Sequence, residues 1–80
     1  MNLQQFQRES DVTYRVVETD GGVQHVVDLG ADATDASVDV VGDTAIVVVG
    51  DDQYDLTLPE GDARAFMRNG VLTIDVEDTA

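Results

Sequence analysis

The chain has 80 residues, with 17 acidic side chains against 4 basic ones, all arginine, for a net charge of −13. Hydrophobic residues make up 42% of it, enough for one small core and more than a disordered acidic tail carries. The absence of cysteine excludes a disulfide scaffold, a thiolate zinc site and a cysteine nucleophile. So negative a surface works against nucleic-acid and anionic-membrane binding, which both need positive charge.

From the start of the chain, residues 1–12 read as a short N-terminal arm. Met1–Ser10 is polar except for Met1, Leu3 and Phe6, a spacing that suits a short amphipathic helix or a flexible arm. Valine-rich runs then alternate with turn residues at Asp20-Gly21-Gly22, Gly30, Gly42-Asp43, Gly50-Asp51-Asp52, Pro59-Glu60-Gly61 and Asn69-Gly70. β-Branched residues favour strands. The runs predict strands at Thr13–Thr19, Val23–Leu29, Ser37–Val41, Ala45–Val49, Gln53–Leu58, Arg64–Arg68 and Val71–Val76. Gly30–Ala36 is the longest loop, with room for one helical turn, and residues 78–80 form a C-terminal end. Short strands at this spacing, with no helical period, predict one all-β domain over residues 13–77, a sandwich or small barrel. No apolar run approaches the roughly 20 residues of a membrane span, and no signal-like stretch opens the chain, so a cytoplasmic protein is expected.

Asn69-Gly70 is the sharpest local signal. A two-residue type I′ turn needs positive φ at both central positions, which Asn tolerates and Gly adopts freely. The resulting hairpin sets Arg68 opposite Val71, Met67 opposite Leu72, Phe66 opposite Thr73, Ala65 opposite Ile74 and Arg64 opposite Asp75. One face then gathers Ala65, Met67, Leu72, Ile74 and Val76. The other carries Arg64 opposite Asp75, a charge pair worth a few tenths to about 1 kcal/mol. A one-residue slip would turn the apolar set into water.

The segment Ala65-Phe66-Met67-Arg68-Asn69-Gly70-Val71-Leu72-Thr73-Ile74 resembles the A-x-x-x-N-G-V-L-x-I signature of the small heat-shock protein (alpha-crystallin) family. Leu56-Thr57-Leu58-Pro59-Glu60-Gly61 is similar to that family's strand ending in Leu-Pro. Val26-Val27-Asp28-Leu29-Gly30 resembles its V-D-L-P-G segment without the proline, and Ser37–Gly50 fits its two central strands. The resemblance implies an immunoglobulin-like antiparallel β-sandwich of six to eight strands. It also implies a groove between Ser37–Val41 and Arg64–Arg68 that accepts an apolar segment of a neighbour, lined by Val38, Val40, Ala65 and Met67, with Phe66 nearby. The alternative is that these residues are ordinary core, covered by Leu3 and Phe6 of the arm.

Several departures bear on function. The segment before the first strand is short, and only Gly50-Asp51-Asp52 stands where the family has a swapped, strand-bearing loop. The end, Glu77-Asp78-Thr79-Ala80, has no I-x-I-like motif, and Gln53, Tyr54 and Asp55 replace expected basic residues. What the resemblance implies is therefore a minimal core domain, a homodimer through an edge strand or a monomer.

Other constellations are weaker. Asp51-Asp52-Gln53-Tyr54-Asp55 has a DDxxD pattern, but on a turn and strand Asp52 and Asp55 point to opposite faces, so these read as turn aspartates rather than a magnesium site. Asp32, Asp35 and Asp39 lack the glycine and terminal glutamate of a calcium loop. His25, the only histidine, falls mid-strand on the face of Val23, Val27 and Leu29 and reads as a packed or half-exposed residue. Neither Ser10 nor Ser37 sits in a nucleophile-elbow context, and no glycine loop cradles a phosphate. No enzyme, metal or cofactor is expected. The expected function is a non-enzymatic, ATP-independent holdase or client-docking module acting through an apolar groove and sheet edge. The alternative is an accessory subunit, a co-chaperone or assembly factor, dedicated to one protein partner.

The charge leads to a separate expectation. A sphere of radius ~15 Å carrying it has a self-repulsion of ~9 kcal/mol at 0.1 M salt and ~4 at 1 M. The expanded coil is repelled less, so concentrated salt should stabilise the fold by roughly 3 kcal/mol, a large share of a typical domain stability. That behaviour suits a salt-rich cytosol such as that of a halophilic archaeon. The thermal midpoint, followed by circular dichroism, should rise by on the order of 10 °C between 0.1 and 2 M KCl. A flat profile would contradict the reading.

Overall fold

The computed structural model describes residues 1–10, 12–30 and 33–77. Asp32 and the C-terminal end at 78–80 lie outside the described residues, as does part of the Gly30–Ala36 loop. Among the described residues, helix α1 (Leu3–Ser10) precedes the strands β1 (Thr13–Thr19), β2 (Gly22–Asp28), β3 (Ser37–Val41), β4 (Thr44–Val49), β5 (Asp52–Thr57), β6 (Asp62–Arg68) and β7 (Val71–Glu77). The strands form two antiparallel sheets, a four-stranded one in the order β1-β2-β7-β6 and a three-stranded one in the order β3-β4-β5. The fold is an all-β sandwich. Its strands fall where the valine runs and turn residues place them, and the largest difference is at β6, which Asp62 and Ala63 join at its start.

The β6–β7 hairpin has the register that Asn69-Gly70 dictates, with Arg68 opposite Val71 and Arg64 opposite Asp75. Asn69 has φ 52° and Gly70 φ 78°, as the turn requires. Gly70 is also needed for space, because a Cβ there would lie 2.7 Å from the carbonyl oxygen of Gly30. Its own carbonyl accepts the Leu29 N–H at 2.8 Å, tying the turn to the end of β2.

The core forms where the sheets face each other. Val27, Leu72 and Ile74 of the wider sheet are fully buried against Ala45, Val47 and Leu56 of the narrower one. Each comes from the inward set of an alternating strand, the arrangement that removes apolar area from water without breaking a ladder.

Helix α1 completes the core from one side. Asn2 caps it, its side-chain oxygen accepting the Gln5 N–H at 2.7 Å, and Arg8 stands in its last turn, where the helix dipole favours a cation. Leu3 and Phe6, at a spacing of one helical turn, are buried, and the Phe6 ring meets Tyr54 at 4.9 Å between centroids. The helix packs on β1 and β5, an edge strand of each sheet. Ahead of it, the Met1 backbone continues the pairing: its nitrogen donates to the Asp55 carbonyl at 2.9 Å, and its carbonyl accepts the Thr57 N–H at 2.8 Å. The helix covers part of this side, where Val16 of the inward row is still 53% exposed, and Met1 pairs with part of the free edge of β5.

Phe6→Ala removes the ring that holds the helix to β5. It should destabilise the domain by about 3–5 kcal/mol in urea denaturation, the cost of truncating a buried aromatic. A loss below about 1 kcal/mol would show that α1 is not part of the cooperative unit.

Candidate functional site

Among the described residues no helix lies over the seam on the other side of the sandwich, between β3 and β6. These two edge strands lie close to each other without pairing. Val38 and Val40 of β3 stand in the rows of buried Val47 and buried Ala45, so both belong to the inward face. Val38 is half-buried, but Val40 remains 38% exposed. Ala65 and Met67 of β6 are half-buried and stand opposite buried Ile74 and Leu72. The structure thus places Val38, Val40, Ala65 and Met67 along one seam. Leu3 and Phe6 pack at the opposite one.

Phe66 is not part of that set. Strand alternation turns it to the outer face of the four-stranded sheet, where it is 52% exposed. The registers put Arg15, Val26, Thr73 and Phe66 in one row across that face. Arg64 and Arg68 stand two residues to either side of Phe66 along β6, and both are exposed. Three of the chain's 4 arginines therefore share this face with an exposed aromatic ring. The hairpin register alone could have found Arg64, Phe66 and Arg68 together. Arg15 joins them only through the β1–β2–β7 pairing. The expected Arg64–Asp75 charge pair needs correction: the two residues are opposite each other, but Asp75 Oδ1 is buried without a hydrogen-bond partner, so the guanidinium does not engage it.

A second place where side chains meet lies near the start of α1. The Tyr14 hydroxyl and His25 Nδ1 share a hydrogen bond of 2.7 Å, and the two rings are nearly parallel with centroids 5.9 Å apart. Both line an open depression of about 390 Å³ together with Asn2, Gln4, Pro59 and Glu60. Burial raises the Tyr14 pKa and lowers that of His25 below its ordinary 6.5, because each charged form loses solvation. His25 is half-buried, on the face where the sequence placed it. The aspartates of the DDxxD stretch lie on an exposed turn and strand, Asp52 opposite Val49 and Asp55 opposite Ile46. Among the described residues no group of three His, Asp or Glu side chains could hold a metal ion, and no helix is long and apolar enough to cross a membrane.

The geometry is that of a small all-β sandwich with its own helix packed over one seam and two unpaired edge strands lying side by side at the other. The chain belongs to a family of unknown function (DUF7127), whose model matches residues 1–76, helix and strands together. No curated protein and no solved structure matches it. This assignment overturns the expected membership of the small heat-shock (alpha-crystallin) family. The Ala65–Ile74 resemblance rests on an N-G hairpin flanked by alternating apolar residues, a pattern that turn physics imposes on unrelated sandwiches as well.

The lowered His25 pKa has a sign that can be tested. The folded state binds its proton less readily than the unfolded chain, so this contribution to stability is complete above the unfolded value near 6.5 and is lost as pH falls through it. The thermal midpoint should drop between pH 7 and pH 5.5, and His25→Gln should flatten that part of the profile. An imidazole titrating above 6.5 by NMR would contradict the assignment.

Proposed function

We propose that this chain is a non-enzymatic protein-binding module that takes an extended apolar segment along the seam between β3 and β6, without ATP. The observation that carries the reading is Val40. Its row holds the buried Ala45 and Leu56, yet it stays 38% exposed at an edge that no other strand among the described residues pairs with. Strand edges supply unpaired N–H and C=O groups to an incoming backbone, while alternate side chains find the apolar floor. Burying apolar area there would contribute about 25 cal/mol per Å².

The holdase version drew its weight from the small heat-shock resemblance, and the family assignment removes that weight. The dedicated-partner version needs only the seam itself, and it is the form in which we advance the reading. An accessory or assembly subunit would recover one predominant protein from a native lysate, whereas a holdase would recover many in small amounts.

An isotope-labelled sample titrated with a short Ile-x-Ile peptide in molar KCl should show shifts at Val38, Val40, Ala65 and Met67. Val40→Asp should abolish them and leave the fold intact. Movement confined to the Tyr14–His25 depression, or none at all, would remove the seam as the binding site.

A further inference from the structure

We infer that the open edge of β6 pairs with β6 of a second copy of this chain, antiparallel and in full register about a two-fold axis at Ala65. This rests on reading the β3–β6 seam as an interaction surface, and it names the occupant of that surface when no other partner is bound.

Four edge strands could take a neighbour, and three are poor choices. The edge of β5 already pairs with the Met1 backbone. Full-length antiparallel self-pairing of β3 (Ser37–Val41) would put Asp39 directly opposite the second copy's Asp39, on an outer face that carries Asp55 in the same row. Like charges in that position are destabilising. Self-pairing of β1 (Thr13–Thr19) would bring Val16 against the second copy's Val16, but Arg15 would face Val17 and Glu18 would face Tyr14. No charge there is answered.

For β6 (Asp62–Arg68) the same operation matches every position. Asp62 faces the second copy's Arg68, and Arg64 faces its Phe66, each pair occurring twice by symmetry. On the inward side Ala63 faces Met67, and Ala65 faces itself. The opposite-charge pairs lie across the strands at the spacing where they interact, and a guanidinium over an exposed ring gains a cation–π contact. This arrangement gives partners to features exposed in a single chain: a phenylalanine 52% exposed and two exposed arginines on an edge strand of a chain with net charge −13. It also extends the inward face next to the exposed Val40. An isologous contact of this kind closes at two copies, and the β6 edge is then no longer a template for further growth.

Two copies of charge −13 repel at long range, so association should strengthen with salt. Sedimentation equilibrium from 0.2 to 2 M KCl should show a monomer–dimer equilibrium shifting toward dimer. Asp62→Arg separates the specific contact from general repulsion. It reduces the net charge from −13 to −11, which favours any non-specific association, but it sets arginine against arginine in the β6 pair. The dissociation constant should rise about tenfold or more. The exchange D62R/R68D restores the net charge of −13 and opposite signs across the pair, and it should return the constant to within about threefold of the original. Both positions are exposed, so the far-UV spectrum and thermal midpoint should stay near those of the parent chain. A monomer at every salt concentration would overturn the inference. So would a D62R protein that dimerises as well as the parent, or a dimer broken by Val17→Lys but not by D62R, which would place the contact on β1. The Ile-x-Ile titration, repeated on monomeric D62R, keeps the two readings apart: peptide binding without a parental dimer removes only the self-pairing, and a dimer without peptide binding removes only the partner segment.

Discussion

Two valine-rich sheets close on each other through one thin apolar layer, and that closure makes the rest of the structure necessary. Val27, Leu72 and Ile74 on one side and Ala45, Val47 and Leu56 on the other are buried only because the sheets are stacked. A stacked pair of open sheets has two long flanks, and the one between β1 and β5 takes apolar cover from a separate element. Helix α1 supplies it, with Leu3 and Phe6 under the β1–β5 flank and Met1 clipped to β5.

Much of this was legible in the sequence, for definite physical reasons. The β6–β7 register followed from Asn69-Gly70, because a two-residue turn with positive φ leaves no freedom in which residues face each other. The strands followed from β-branched runs separated by turn residues. The helix was harder to read. Eight residues are too few to be stable on propensity alone, so packing decides whether they form a helix, although Asn2 with Gln5 three residues on is a recognisable N-terminal signal. Which flank the helix covers was not legible, since Leu3 and Phe6 would suit either. The Tyr14–His25 pair was also hidden. In the β1–β2 register His25 is opposite Val16, so Tyr14 reaches it along the diagonal, a contact that requires knowing how two separate strands align.

The wrong inference is as instructive as the right ones. The hairpin motif that pointed to the small heat-shock proteins encodes a turn and a buried face, and those are requirements of the fold. Fold requirements do not identify a function. The family match leaves the function open, and the properties that distinguish this chain lie elsewhere: on the outer face with Arg15, Arg64, Phe66 and Arg68, and at the uncovered Val40. Both are departures from the general character of the molecule, cations in an acidic chain and an inward-row valine left wet. The proposed binding seam and the proposed β6 pairing rest on these two departures.

The strand order carries one more consequence. The sheet β3-β4-β5 is a meander of neighbours in sequence, but the sheet β1-β2-β7-β6 joins the second strand to the last. During synthesis on a ribosome the meander can assemble as it emerges, while the β1–β2 hairpin must wait for β7 before half of its hydrogen-bonding edge is satisfied. Pairing across so long a stretch of chain is intrinsically slow. Until β7 arrives, Val27 of β2 has a neighbouring strand on one side only and lacks the flanking Leu72 beside which it is buried in the finished sheet.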